Sequence, residues 1–385
     1  MKATTLSSPG MNPSAMPARK SSVKLATGYL CLCLALLFAS MAVAQQPENT
    51  LTVFNVAGSG TGKQEGTLAI SLNASGVIAG YYYDSTDVAH GFVRAASGAI
   101  ETFDVTGAGT GSGQGTFAET INTAGTIAGN YTDSSGVHHG FIRTASGVIT
   151  TINVTGAGTG SGQGTQCCAI NTSGVTAGYY FDSSNVKHGF VRSASGAIKT
   201  YDVSGAGTGS DQGTDGDAIN TAGTVSGAYI DGSGVYHGFV RSAAGTVTTF
   251  DVSGASTKSG FGTEPVGINT AGSVVGFYYD TTGVSHGFVR TAAGVITTFS
   301  VSGAKATLAS GINTAGTVSG FYLDSGLGVR SFERSAAGAI TTFDAPGSGT
   351  AGGTGTFAFG LNTAGSVVGY LVTSSSVFEG FVLTK

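Results

Sequence analysis

The sequence has no tryptophan, six prolines and only four cysteines in 385 residues, and 10% of its residues are charged. Two cysteines lie near the N terminus, and the other two, Cys167 and Cys168, are adjacent. Adjacent cysteines cannot tie distant parts of a chain together, which excludes a disulfide framework. We expect free thiols at both positions, because a trans peptide holds their Cα atoms closer than most disulfides prefer. Packing must therefore hold the fold.

The first 44 residues contain four basic residues, no acidic residue and an apolar segment that ends in Ala42-Val43-Ala44. This pattern predicts a signal peptide over residues 1–44, cleaved before Gln45 and followed by a short linker over residues 45–50. A retained membrane anchor is the alternative. A lipoprotein is disfavoured, because neither Cys31 nor Cys33 follows a small residue. We expect a secreted protein, extracellular or periplasmic, without membrane association after cleavage.

Removing this leader changes the charge balance. It leaves 13 basic and 21 acidic residues, a net charge of −8. Such a chain lacks the basic surface that nucleic-acid binding requires, so a nucleic-acid partner is disfavoured.

What the sequence has in abundance is glycine, with 65 residues, arranged in an internal repeat. The asparagine of an Asn-Thr-Ala-Gly type turn recurs in seven copies, at Asn73, Asn122, Asn171, Asn220, Asn269, Asn313 and Asn362. A His-Gly-Phe marker or its relic recurs with its phenylalanine at Phe92, Phe141, Phe190, Phe239, Phe288, Phe332 and Phe381. The spacing is 49 residues, except for one step of 44.

Apolar residues in each copy never sustain a helical period, and turn residues interrupt them every eight to twelve positions. We predict four strands per copy, which in the first copy are strand A (66–73), strand B (77–84), strand C (88–95) and strand D (99–106). Four antiparallel strands at this period predict an all-β fold, a seven-bladed β-propeller over residues 51–385. An open β-solenoid is the alternative. We expect a monomer.

The order of the strands favours closure of the propeller. The first strand, "LTVFNV" (51–56), resembles a strand D without A, B and C, and the last, "FEGFVLTK" (378–385), resembles a strand C without D. Pairing them completes the last blade and removes an exposed sheet edge.

The repeat "GINTAGSVVGFYYDTTGVSHGF" (267–288) resembles the extracellular HAF repeat family, named for a His-Ala-Phe triplet. The resemblance covers all seven copies, although the triplet here is His-Gly-Phe and the last two copies lack the histidine. It implies a secreted bacterial repeat protein with no established activity, so no catalytic residues are carried over.

The histidines recur at His90, His139, His188, His237 and His286. Blade symmetry would scatter them around the propeller, which disfavours a single metal site. Pairing of strands C and D instead predicts a hydrogen bond within each blade. The predicted pairs are His90 with Asp104, His188 with Asp202, His237 with Asp251, Arg330 with Asp344 and Glu379 with Asn55, whereas His286 faces Ser300.

Two motifs suggest enzymes but fit the repeat better. Ser285 lies in Gly283-Val284-Ser285-His286-Gly287, which matches a hydrolase nucleophile pattern, yet the strand–turn–helix context of such a site is missing. "GSGTAG" (347–352) matches a dinucleotide-binding pattern, yet it leads into a strand where that site needs a helix. We therefore predict no catalytic residue at either motif.

A glycine inside strand B recurs in all copies and predicts a bulge or a close approach of neighbouring backbone. These residues are Gly80, Gly129, Gly178, Gly227, Gly276, Gly320 and Gly369.

Function is expected where the copies differ. In a propeller, strand A lines the central channel, and its variable positions carry Glu119, Asp215, Asp217 and Glu264, with Gln166 nearby. Like charges in a narrow channel favour a cation such as Ca²⁺ or a polar ligand. Hydrated carboxylates are the alternative.

We predict a noncatalytic binding or interaction module for a polar ligand such as a glycan, or for an extracellular protein. The face formed by the D–A loops and B–C turns, which is rich in Gly, Ser, Thr and Asp, suits such a ligand. The alternative is a propeller enzyme, a lyase or glycosidase, that uses the channel carboxylates.

Overall fold

A computed structural model of the chain describes residues 49–385, so the predicted signal peptide lies outside the described residues. The described part contains 28 strands and no helix. Accordingly, residues 49–385 contain no helix long and apolar enough to cross a membrane. The all-β prediction is confirmed.

Each sequence copy supplies four antiparallel strands that pair in the order A, B, C, D. The A strands are β2 (Gly66–Leu72), β6 (Gly115–Ile121), β10 (Gly164–Ile170), β14 (Gly213–Ile219), β18 (Thr263–Ile268), β22 (Ala306–Ile312) and β26 (Gly355–Leu361). The B strands are β3 (Ile78–Tyr83), β7 (Ile127–Thr132), β11 (Thr176–Phe181), β15 (Val225–Ile230), β19 (Val274–Tyr279), β23 (Val318–Leu323) and β27 (Val367–Val372).

The C strands are β4 (Ala89–Arg94), β8 (His138–Arg143), β12 (Lys187–Arg192), β16 (Tyr236–Arg241), β20 (Ser285–Arg290), β24 (Val329–Arg334) and β28 (Phe378–Thr384). The D strands are β1 (Thr50–Phe54), β5 (Ile100–Phe103), β9 (Ile149–Ile152), β13 (Ile198–Tyr201), β17 (Val247–Phe250), β21 (Ile296–Phe299) and β25 (Ile340–Phe343).

The D strands are shorter than predicted. In the first copy, strand D ends at Phe103, whereas the sequence suggested Thr106. The chain leaves the sheet there because Asp104 turns toward His90 and the Val105 N–H donates to the buried Thr116 Oγ1 of the next strand A at 3.0 Å. The end of each D strand is thus fixed by side chains rather than by the ladder.

The core of each copy is built around the phenylalanine of the His-Gly-Phe marker. All seven of these rings are fully buried. Phe92, for example, packs with Ile78 of its own copy and with Val368 of the last copy. Burying such a side chain stabilises the fold by about 1.5–3 kcal/mol, so the recurring phenylalanines join neighbouring copies as well as strands.

The recurring glycine of strand B faces a bulge in strand A. Gly80 pairs with Ala69, the pairing then skips Ile70, and Ser71 pairs with Ala79. A Cβ at Gly80 would lie 2.2 Å from the Leu68 carbonyl oxygen, so the backbone approach is too close for any side chain. The prediction of a close approach is confirmed, and the extra residue belongs to strand A rather than strand B.

The first and last strands pair as the sequence predicted. Strand β1 runs antiparallel to β28, with Thr50 opposite Thr384 and Phe54 opposite Gly380. β28 also contacts β2 through Gly66, whose φ of +117° and tight packing against Phe378 admit only glycine. The N-terminal strand therefore completes the sheet of the last copy.

The seven recurring asparagines form a closed cycle of hydrogen bonds. Each buried asparagine accepts backbone N–H bonds within its own turn and donates Nδ2–H to the main-chain carbonyl of the next asparagine. The bonds run from Asn73 to Asn122 and onward through Asn171, Asn220, Asn269, Asn313 and Asn362, and the last returns to Asn73.

Candidate functional site

The histidines contact the partners that strand pairing predicted. His90 Nδ1 lies 3.0 Å from the Asp104 carboxylate, and His286 Nδ1 lies 2.8 Å from Ser300 Oγ. His188 contacts Asp202 at 2.8 Å, His237 contacts Asp251 at 3.0 Å, and His139 contacts Asn153 at 2.7 Å.

The second ring nitrogen has a partner that we did not predict. His90 Nε2 lies 3.4 Å from Asp84, the aspartate that starts the B–C turn of the same copy, and the ring stacks on Tyr82 with centroids 5.0 Å apart. The other four histidines repeat both contacts. An aspartate six residues before each of these five histidines was the available sequence signal.

The turn aspartates are held in their charged form. Burial raises the pKa of Asp84, but hydrogen bonds from the Val88 and Thr86 N–H groups, the Thr86 hydroxyl and His90 outweigh it and lower this pKa to about 2. Each of the five recurring histidines therefore has a polar partner at both ring nitrogens. These contacts account for the ring as a link between the B–C turn and strand D.

The copies without histidine preserve the same link by other means. Arg330 bridges Asp324, at 2.8 Å, and Asp344. Across the chain closure, Asn55 Nδ2 donates to Glu379 at 3.3 Å. The predicted replacements are thus in contact, and the link serves the blade frame in all copies.

An axial cavity of about 370 Å³ is lined by strand A of all seven copies. Its wall includes the bulge residues of three copies, Glu119, Cys168 and Asp217. Asp215 and Glu264 lie two residues before the bulge, and neither is part of this cavity wall. Strand A therefore lines the channel as predicted, and the bulge directs an extra side chain into it.

The structure assembles part of the predicted carboxylate set. Ligand atoms of Asp215, Asp217 and Cys168 all lie within 4.8 Å of one another. Glu119 and Glu264 lie outside this cluster, although Glu264 acts electrostatically on Asp217. Sequence reasoning treated the four acids as one group and did not include Cys168.

Lys187 is the main partner that sequence reasoning missed. Its Nζ lies 2.7 Å from Asp215 Oδ2 and 4.8 Å from the centre of the Tyr179 ring. The burial that would lower the pKa of Lys187 is outweighed by Asp215, so this pKa is raised and the ammonium stays charged. Within the cluster, the carboxylate of Asp215 is therefore already paired with the ammonium of Lys187.

Burial shifts the pKa values of the other three acids upward, toward their protonated forms. Burial raises the pKa of Glu119 to about 7 and that of Glu264 to about 7. Burial, and then the charge of Asp215, raise the pKa of Asp217 well above its usual range. A protonated Asp217 can donate its hydrogen to the buried Asp215 Oδ1, which has no other partner among the described residues.

A Ca²⁺ ion needs six to eight oxygen ligands, whereas the cluster offers two carboxylates and a thiol, with an ammonium already on one carboxylate. The contacts suit a shared proton better than this cation. The calcium prediction stays a prediction, with its test given below.

Strand A of the last copy carries aromatic side chains, and Phe359 is part of the wall of the axial cavity. Phe357 and Phe359 both stack on Tyr370, with centroids 5.1 and 5.4 Å apart and planes 18° apart. The channel lining thus includes apolar as well as acidic side chains. At one end it opens into a second cavity, of about 270 Å³, that the asparagine cycle surrounds.

The two enzyme-like motifs lie in a strand and in a loop, as parts of the repeat. Ser285 is buried at the start of β20, within a strand. Residues 347–352 form a loop before β26. Cys167 and Cys168 are free thiols, as predicted, and burial raises the pKa of Cys167 to about 12. A thiol with this pKa is a poor nucleophile.

No protein-family profile and no curated protein matches the sequence. Solved structures are similar in fold. The BP39L lectin from Burkholderia pseudomallei matches with 11% identity and a TM-score of 0.54, over 82% of this chain and 94% of the lectin. TolB from Acinetobacter baumannii matches with 11% identity and a TM-score of 0.44, over 77% of this chain and 76% of TolB.

A fungal lectin from Aleuria aurantia, described as a six-bladed β-propeller with a mode of fucose recognition, matches with 13% identity and a TM-score of 0.38, over 67% of this chain and 86% of that lectin. The strand order within each copy and the likeness to the BP39L lectin show that the fold of residues 49–385 is a β-propeller of repeated four-stranded blades.

Proposed function

We propose that this protein is a secreted, noncatalytic β-propeller of seven blades, closed by its N-terminal strand, that binds a glycan. The observation that carries the proposal is the likeness in fold to a lectin over 94% of the lectin's length. The asparagine cycle and the pairing of β1 with β28 support closure at seven blades. The resemblance to HAF repeats stays a prediction.

The contacts of the recurring residues support a binding role. Histidine, arginine and asparagine could serve catalysis, but here they link strands and blades in copy after copy. The cavity inside the asparagine cycle is lined by amides, hydroxyls and apolar side chains of all seven copies. Surfaces of this kind suit the alternating polar and apolar faces of a sugar ring.

A glycan array tests the proposal. We expect the purified protein to bind one class of saccharide selectively, with a reproducible dissociation constant in solution. Binding to none of the glycans, combined with capture of an extracellular protein, would replace the glycan by a protein partner. For secretion, we expect the exported protein to begin at Gln45, and a retained residue 1 in a membrane fraction would contradict it.

A second candidate function is a polysaccharide lyase or glycosidase. It is favoured by the two carboxyl groups of Asp215 and Asp217, whose oxygens lie within 4.8 Å of each other, because glycosidases act through a pair of carboxyl groups. The test is release of reducing or unsaturated ends from a polysaccharide panel. Turnover that Asp217→Asn abolishes would establish the enzyme, and no turnover would leave the binding module.

A further inference from the structure

The junction between the third and fourth copies brings two basic residues together without an acid. Lys199 lies on the D strand of the third copy, and Arg241 ends the C strand of the fourth. Arg241 lies over the Tyr201 ring at 4.6 Å and donates to the Ser242 carbonyl at 3.3 Å. Lys199 is exposed and has no hydrogen bond or ion pair within residues 49–385.

Equivalent junctions are built differently. In the first copy the position of Lys199 is Glu101, which forms an ion pair with Arg143 of the second copy. At the junction of the sixth and seventh copies, Glu333 pairs with Lys385 at 2.6 Å. The remaining copies have threonine at the Lys199 position, namely Thr52, Thr150, Thr248, Thr297 and Thr341. The third copy is therefore the one that replaces an acid or a neutral residue by a second base.

The two basic side chains line a cavity of about 410 Å³. Among the described residues they are the only ionisable ones in its lining, and Ser173, Ser193 and Thr221 add hydroxyl groups beside an apolar floor. Asn171 and Thr221 line both this cavity and the cavity inside the asparagine cycle, so the two cavities are adjacent. In a chain with an excess of acids, such a surface selects for negative charge.

We propose that this cavity binds an acidic saccharide, with Lys199 and Arg241 on its carboxylate or sulfate group and the hydroxyl-bearing residues on the sugar. The assignment rests on the proposed glycan-binding function and names its ligand class. Arginine presents a planar pair of donors to a carboxylate or sulfate, and lysine adds a point charge. The site lies on the face of the A–B and C–D turns, opposite to the face that the sequence suggested for ligands.

Calorimetric titration of the purified protein tests the proposal. The probes are tetragalacturonate, a sulfated galactan tetrasaccharide without carboxylates, neutral cellotetraose and sodium sulfate. We expect one of the two acidic saccharides to bind, more weakly as salt increases, and cellotetraose to bind at least about tenfold more weakly. The stronger of the two acidic probes identifies the anionic group.

Two variants test the residues. Lys199→Thr installs the residue of five other copies and should weaken acidic saccharide binding about tenfold. Lys199→Glu recreates the Glu101–Arg143 arrangement and should abolish it. Lys305→Glu is the matched control, since Lys305 is exposed outside the cavity and the charge change is the same. This control should bind like the original protein.

The outcomes separate the two proposals. Saccharide binding that is unchanged in Lys199→Thr and Lys199→Glu would overturn this site while the glycan-binding function stands. Binding of sodium sulfate as tight as that of the acidic saccharides would overturn the saccharide assignment. Binding of none of these probes, together with an empty glycan array, would overturn both proposals.

Discussion

Asn362 donates its Nδ2 hydrogen to the main-chain carbonyl of Asn73 at 3.2 Å, although 289 residues separate them. This bond is the last of seven of the same kind, and it joins the seventh copy to the first. Each asparagine has two functions, because its Oδ1 holds its own turn and its Nδ2 holds the next copy. The same side chain therefore stabilises the turn within its own copy and the contact between neighbouring copies.

Asn220→Asp separates the two functions. Aspartate keeps the oxygen that accepts the Ala222 and Thr224 N–H groups but loses the donor to the Asn269 carbonyl. We expect a loss of about 1–3 kcal/mol in the free energy of unfolding, measured by urea denaturation. Asn153→Asp is the control, since other copies have aspartate there, and it should be close to neutral. Equal effects of the two variants would contradict the role of the cycle.

Deleting residues 50–56 should destabilise the protein by at least about 3 kcal/mol. The deletion removes strand β1, the buried Val56 and the Phe54 ring that packs on Phe92 with centroids 6.1 Å apart. Differential scanning calorimetry gives the measurement. The control is a deletion of residues 45–49, which leaves strand β1 intact. If both truncated proteins melt like the intact one, the N-terminal strand does not close the sheet.

Stability should fall as pH rises from 5 to 8. The pKa of Glu119 is about 7 in the folded protein, above its ordinary value of 4.5, so the folded state holds a proton that the unfolded state releases. The contribution is full below the unfolded pKa and is lost as pH rises through the folded one. Glu119→Gln should make the decline shallower and Glu119→Gln/Glu264→Gln shallower still, whereas Asp217, whose pKa burial also raises, should keep part of the decline.

Melting temperature measured every half pH unit gives this slope. Glu379→Gln is the control, because this carboxylate lies outside the channel and contacts Asn55. An unchanged slope in the double variant would show that the channel acids titrate normally.

The calcium prediction has a direct test. If a cation occupies the channel carboxylates, millimolar Ca²⁺ raises the melting temperature through binding to the folded state. Asp217→Asn should abolish most of that increase and leave the metal-free protein at least as stable. An unchanged melting temperature, or an equal increase in the variant, would remove calcium from the channel.

Gly227→Ala should cost about 2 kcal/mol, because the new methyl group would lie 2.0 Å from the Asp215 carbonyl oxygen opposite the bulge. Gly232→Ala adds the same group in a turn where nothing lies within 4 Å. We expect that control to change the free energy of unfolding little. Two equally stable variants would show that the backbone contact relaxes without cost.

Strand pairing within a copy was predictable from the sequence, because its partners recur at fixed spacing. The contact of His90 with Asp104 followed from the C–D hairpin alone. The pairing of β1 with β28 followed from the displaced strand, because an unpaired edge is costly.

Contacts between copies were not predictable in the same way. Lys187 reaches Asp215 from a neighbouring blade, and at its position the other copies vary freely. The asparagine cycle depends on how far each turn lies from the next, which the repeat length does not give. The bulge moved Cys168 beside Asp217, and strand alternation alone cannot reveal such a shift.

The pairing of β1 with β28 also sets an order of events for synthesis. The first strand leaves the ribosome early, yet its partner from Phe378 to Thr384 is made more than three hundred residues later. Copies can form their local hairpins as they emerge, whereas the last sheet must wait for the whole chain. Long-range pairing of this kind is slow, because loop closure precedes the contacts that compensate for it. The chain therefore passes through a stage in which every blade but the last is complete. At that stage the edges of β1 and β28 are both still unpaired.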